Sequence, residues 1–147
     1  MSNNKLSFHN PAGLFDPSTY GFSHTVKAPS NGDLIYISGQ SGGEGKDHIL
    51  NEDFRRQVQI VLSNLNIALN AHQLTFSDVI KITILIVDHN AEKLAIWTDE
   101  MTLYWTVGKL PASTLIPVVG LALKDMQIEV DAVAFKPAHL DLKSYHF

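Results

Sequence analysis

Cysteine is absent from the 147 residues, which excludes disulfides, thiolate nucleophiles and cysteine-based zinc or iron–sulfur centres. Arginine is nearly absent: Arg55 and Arg56 stand side by side, the other basic residues are nine scattered lysines, and 15 acidic residues bring the net charge to −4. Nucleic-acid binding needs a basic stripe that neutralises several phosphates, and no such cluster is visible, so nucleic acid is not expected as a partner. Long apolar runs are also missing. None exceeds a few residues: Ile84 to Val87, with Ile82 nearby, falls far short of the roughly 20 residues that a membrane-spanning helix requires. The first residues, Met-Ser-Asn-Asn-Lys-Leu-Ser-Phe, lack the apolar core of an export signal. A soluble, cytoplasmic protein with no membrane partner is therefore expected. The seven histidines, at positions 9, 24, 48, 72, 89, 139 and 146, show no His-x-x-x-His or related spacing. Neither a metal nor a cofactor is expected.

The remaining pattern fits one domain. Residues 1–20 carry Asn, Pro, Gly and Ser without periodicity and read as an irregular lead-in. Phe22 to Ala28 and Leu34 to Ser38 flank Pro29-Ser-Asn-Gly-Asp33, whose Asn31-Gly32 pair suits positive φ, so the pattern predicts a β-hairpin. Gly42-Gly43-Glu44-Gly45 reads as a mobile loop, and without a following Lys-Ser/Thr it is not a phosphate-binding loop. From Asn51, the candidate N-cap, Phe54, Val58, Val61, Leu62, Leu65 and Leu69 form a helical stripe ending near His72. Val79 to Val87 is almost continuously apolar, which predicts a strand covered on both faces. Asn90 caps a second helix carrying Leu94, Trp97, Met101, Tyr104 and Trp105, stopped by Gly108 and Pro111; Tyr104 and Trp105 follow the stripe into the core.

Two strand-like runs close the pattern, Pro111 to Val118 and Met126 to Ala134. In the second the period is two, so Ile128, Val130, Ala132 and Ala134 face one way and Glu129 and Asp131 the other. The order of elements predicts an α+β domain, a mixed sheet with two helices packed on one face. The opposite face then needs a cover that the chain does not supply, and neighbouring subunits are expected to provide it.

Taken in order, Ile35-Tyr-Ile-Ser-Gly-Gln40, Pro111-Ala-Ser-Thr114 and Met126-Gln-Ile-Glu-Val-Asp-Ala-Val-Ala134 resemble the Rid family (YjgF/YER057c/UK114), which includes the reactive-intermediate imine deaminases. The resemblance covers roughly residues 20 to 136. It implies a Rid/YjgF-like domain over 21–136, followed by a structural tail over 137–147 in which Leu140, Leu142, Tyr145 and Phe147 pack on the body. It further implies a chorismate-mutase-like homotrimer that binds a small-molecule ligand in clefts between neighbouring subunits. Glu129 falls at the position of the family's catalytic glutamate, which orients the attacking water and relays a proton. The substrate-binding positions are Phe22, where many members carry tyrosine; Gly39, in the Ser-Gly-Gln turn whose backbone carbonyl helps to place water; Ser113 and Thr114; and Leu115, often a cysteine.

Plainer readings stand beside these: Glu129 on a solvated strand face, Gly39 as a strand-ending glycine, Ser113 and Thr114 bonded to backbone, Asp131 in a structural pair, and His24 exposed beside Phe22. The most consequential departure from the family pattern is at position 113. Catalytic members read Pro-Ala-Arg-Ser/Thr, and here Ser113 stands where the arginine grips the substrate carboxylate. A neutral hydroxyl cannot replace a guanidinium that forms two charge-assisted hydrogen bonds. The expected function is a Rid-like hydrolase of a small imine or enamine other than the usual 2-imino acid. The alternative is a non-catalytic trimeric metabolite-binding protein, and a protein-interaction role is a third reading.

Overall fold

The computed structural model describes residues 5–138, so the tail residues Leu140, Leu142, Tyr145 and Phe147, with His139 and His146, lie outside the described part. Ten elements follow in order: β1 Ser7–His9, β2 Thr25–Lys27, β3 Gly32–Ser41, β4 Gly43–Glu44, β5 Ile49–Leu50, α1 Phe54–Asn70, β6 Val79–Val87, α2 Ala91–Met101, β7 Ala112–Val118 and β8 Ile128–Pro137. The main sheet runs β3-β8-β6-β7, antiparallel except for the parallel β6–β7 pair. Parallel neighbours need a long crossover, and α2 lies within the one that joins β6 to β7. The expected α+β arrangement is the one observed.

Each helix is started by a side chain that satisfies an otherwise orphaned N–H. Asp53 accepts from the Arg56 amide at 3.1 Å, and Asn90 accepts from the Lys93 amide at 2.8 Å. Phe54, Val58, Val61, Leu62, Leu65 and Leu69 are buried along α1 against Ile82, Ile84, Ile86, Ile128, Val130, Ala132 and Ala134 of the sheet, with Trp97 and Met101 of α2 completing the core. Gln57 is a fully buried polar member of α1. Its amide nitrogen donates to Asn51 O at 2.8 Å and Asp125 O at 2.9 Å, while its oxygen accepts from the Gln127 amide at 2.9 Å. Leucine at position 57 would leave these backbone groups unpaired, at about 1–3 kcal/mol for each one that stays buried. Gln57→Leu is expected to lower the urea midpoint by the equivalent of about 2–4 kcal/mol.

Several sequence expectations change. The hairpin does not form: β2 pairs with β1, within the supposedly irregular lead-in, and β3 pairs with β8. Neither Asn31 nor Gly32 adopts the positive φ that the turn would need. Gly32 is instead a close-approach residue, since a side chain there would collide with the Phe135 ring and the Lys136 carbonyl. The Gly42–Gly45 stretch is partly ordered, with β4 paired to β5. The second helix ends at Met101, where Leu103 and Tyr104 donate to carbonyls three residues back. Trp105 is still buried, its indole donating to Phe76 O at 2.9 Å.

Finally, β6 is sealed on one face only. Val79, Ile82, Ile84 and Ile86 are buried, while Thr83, Leu85 and Val87 between them are half-exposed. The same face carries Tyr36, 75 % exposed, and Ile116, 43 % exposed. Among the described residues nothing seals it.

Candidate functional site

Strand register decides which candidate side chains can meet, because partners across a sheet share a face and successive residues alternate. Ser113 aligns with Ile82 and, through it, Ala132, both on the helix-covered face. Thr114 aligns with Thr83 and Asp131 on the opposite, open face. Glu129 aligns with Leu85, and through it Ile116, also on the open face. Within one chain, then, Ser113 and Glu129 lie on opposite sides of the sheet.

Two cavities of about 660 Å³ each follow this division. The first lies over β6, β7 and α2 and is lined by Phe22, Ser113 and Leu115 together with Ile84, Leu94, Trp97, Phe15, Asp16 and Tyr20. The segment leading into β2 supplies its rim: Phe15 meets Tyr20 and Phe22 edge-to-face at centroid distances of 6.0 and 6.1 Å. His24 packs behind them, 5.1 Å from Phe15 and 5.4 Å from Phe22, with its Nε2 2.7 Å from the Phe15 carbonyl. It is half-buried, not exposed as the sequence suggests. Asp16 accepts from the Ser18 amide at 3.0 Å, and hydrogen bonds from Ser18 hold its carboxyl below the usual carboxylate range, so it is charged at neutral pH.

The second cavity brings Gly39 and Glu129 together. A β-bulge between Ile37 and Gln40 places two residues of β3, Ser38 and Gly39, opposite Asp131. A methyl group at position 39 would overlap the Glu129 carboxylate, so the glycine makes room for that side chain to lie against the strand. No hydrogen bond or ion pair engages the Glu129 carboxylate among the described residues. Nearby, Ser41, the register partner of Glu129, is hydrogen-bonded to His48 Nε2, and its Oγ accepts from the Gly43 amide at 3.1 Å. Asn64 of α1 donates to the Ser41 and Gly43 carbonyls, both at 3.0 Å, and holds this loop.

Thr114 joins neither group: its hydroxyl is 2.7 Å from Lys81 Nζ, and it lines neither cavity. Asp131 accepts from the Thr83 amide at 3.2 Å, a structural role. Phe15, Asp16 and Tyr20 escape sequence reasoning because their segment has no periodicity; the only signal was a cluster of aromatic rings just before Phe22. The Ser41–His48 pair carries no periodic signal, since His48 stands in a turn, at a φ of 52°. Among the described residues no group of three or more His, Cys, Asp or Glu is placed to hold a metal, and no helix is long and apolar enough to cross a membrane.

The fold, the bulge that seats Gly39 against Glu129 and the Pro111–Val118 strand define a Rid-type domain, and the chain belongs to that family. The model of the endoribonuclease L-PSP family matches residues 16–136. The chain is similar to the RutC family protein YjgH of Escherichia coli, 32 % identical over 122 residues that cover 83 % of this chain and 90 % of the relative. It is also 32 % identical over 116 residues to the RutC family protein PH0854 of Pyrococcus horikoshii, covering 78 % of this chain and 86 % of that one. Among solved structures it resembles YyfB of Yersinia pestis, described as a Rid family protein of unknown function. The TM-score is 0.83 and the identity 27 %, over 89 % of this chain and 98 % of the other. Membership supports a function directed at a small molecule in general terms.

Proposed function

We propose that the protein is a Rid-like hydrolase of a small imine or enamine, acting in a cleft completed by a second copy of the chain. The single observation that carries this reading is the Glu129 carboxylate, seated against Gly39, open to a cavity and engaged by no described partner. Such a group accepts a proton from water as the oxygen attacks the imine carbon. With the imine nitrogen protonated, this gives a carbinolamine; Glu129 then returns the proton to the nitrogen and takes the hydroxyl proton as the C–N bond breaks, so that ammonia leaves and a carbonyl remains. Ammonia release from imines generated in solution by oxidation of small primary amines tests the reading. Turnover above the uncatalysed rate supports it, and its absence across a panel of amines favours the alternative, a trimer that binds a metabolite without reacting with it.

The division into two cavities supports completion by a neighbour. Phe22, Ser113 and Leu115 line one, Gly39 and Glu129 the other, and the unsealed sheet face between β3 and β7 offers the apolar contact through which copies would associate. Sedimentation equilibrium at micromolar concentration is expected to show a trimer, and a stable monomer would contradict this.

RNA is not the proposed substrate, although the family is named for an endoribonuclease. Arg55 is paired with Glu100 at 2.8 Å and Asp99 at 3.5 Å, and Arg56 with Glu44 at 3.4 Å, so both arginines are already engaged by carboxylates. RNA affinity is expected to be weak and to fall steeply with salt. Nanomolar binding at physiological ionic strength in a filter-binding titration would contradict this.

A further inference from the structure

We propose that the cavity bounded by Phe15, Tyr20, Phe22, Trp97 and Asp16 selects an organic cation, an ammonium or protonated imine that carries no carboxylate. This rests on the reading above only for the seat of the ligand, not for its chemistry. Four of the nine lining residues are aromatic, one is a carboxylate, and none is Lys or Arg. The quadrupole of an aromatic ring attracts a cation at its face, and several rings converging on one cavity make a cage in which a weakly hydrated ammonium is stabilised without ion pairing. Asp16 adds a full negative charge at the rim, and its hydrogen bonds from Ser18 keep that charge in place.

The remaining lining agrees. Ile84 and Leu115 form an apolar floor, and Ser113 contributes a neutral hydroxyl where an arginine would repel a cation and attract a carboxylate. The change at position 113 therefore does more than remove a grip on acids. Together with the rings of the β2 approach segment it inverts the charge that the cavity favours. The edge-to-face packing of Phe15 on Tyr20, Phe22 and His24 fixes the rim rings before a ligand arrives, which reduces the ordering cost of binding.

The test uses two probes of the same shape that differ in charge: choline and its uncharged carbon analogue 3,3-dimethylbutan-1-ol, titrated by calorimetry with Trp fluorescence as a second readout. Choline is expected to bind about tenfold more tightly than the neutral analogue, as two or three cation–π contacts at a rim where Phe15 and Tyr20 are exposed would give. Phe22→Leu, which keeps apolar bulk but removes a ring face, and Asp16→Asn, which keeps the acceptor for the Ser18 amide, are each expected to weaken choline several-fold. Both are expected to weaken the neutral analogue less than choline, so that the ratio of the two affinities falls several-fold. Equal binding of the two probes, binding of neither, or choline affinity indifferent to both substitutions overturns the proposal. Because choline has no imine to hydrolyse, the outcome is independent of turnover. Selective choline binding with a catalytically inert Glu129 would retain the cation site and remove only the hydrolase.

Discussion

Glu129→Gln is expected to lower the rate of imine hydrolysis by about 10²- to 10⁴-fold, the usual worth of a positioned general acid–base group. Glutamine keeps the length and hydrogen-bonding outline of the side chain, so it still fits against Gly39, but it cannot take a proton from water. The substitution sits on the half-buried, non-core side of β8, between buried Ile128 and Val130, and removes no described hydrogen bond. Stability and assembly are therefore expected to stay within about 0.5 kcal/mol of wild type. The informative comparison is ammonia release beside the urea midpoint. A fall in both would mean that the residue holds the fold, whereas unchanged turnover in a stable variant would remove Glu129 from the chemistry.

The second large effect concerns position 113. The wild-type protein is expected to hydrolyse 2-iminobutanoate-type acids poorly, because no lysine or arginine lines the cavity that holds Ser113. Lys109, the nearest basic residue in sequence, lines a different cleft with Lys5 and Asp78. Ser113→Arg introduces a fork that can hold a carboxylate through two charge-assisted hydrogen bonds. A hydrogen bond to a charged group is worth about 1.5–3 kcal/mol, so affinity for these acids should rise roughly 10- to 100-fold. Where Glu129 and the Gly39 turn complete the site, deaminase activity should follow, measurable as ammonia release. Robust wild-type activity on these acids would show that another residue does the work of the arginine. A well-folded but inert Ser113→Arg protein would favour the binding-only trimer.

How much of this was legible depended on the range of the interactions involved. The strand Val79–Val87 and the Asn90 cap could be read directly, because composition and a single side chain decide them within a few residues. The first helix starts later than the pattern suggests: Asn51 looks like a cap, but its side chain accepts from the Asp53 amide, and Asp53 caps the helix. The false hairpin arose because Asn31-Gly32 is a strong local turn signal, whereas the β3–β8 pairing that wins joins residues about a hundred positions apart. Glycine there is demanded by the Phe135 ring and not by a turn, a reason that no local pattern contains.

For the site, the motif resemblance placed Gly39 beside Glu129, and the bulge supplies the physical reason. Adjacent strand residues point to opposite faces, so Ser113 and Thr114 could not both have lined one cavity. That much was available from the alternation alone. Assigning each to its face needed the β6–β7 register. The aromatic rim was out of reach, since Phe15, Asp16 and Tyr20 are brought to the cavity by a segment with no periodic signal.

The central claim is that two half-sites on opposite sides of the sheet act together across a subunit boundary. Mixing two inactive variants tests it most directly: Glu129→Gln, defective in one half, and Leu115→Trp, whose bulk fills the other. They are unfolded together, refolded at equal amounts, and assayed for ammonia release. If each site takes Glu129 from one chain and the Leu115 cavity from its neighbour, random assembly leaves about one quarter of the interfaces with both halves intact, and about a quarter of wild-type activity returns. If each chain holds a complete site of its own, every site carries a defect and the mixture stays as inactive as its parents.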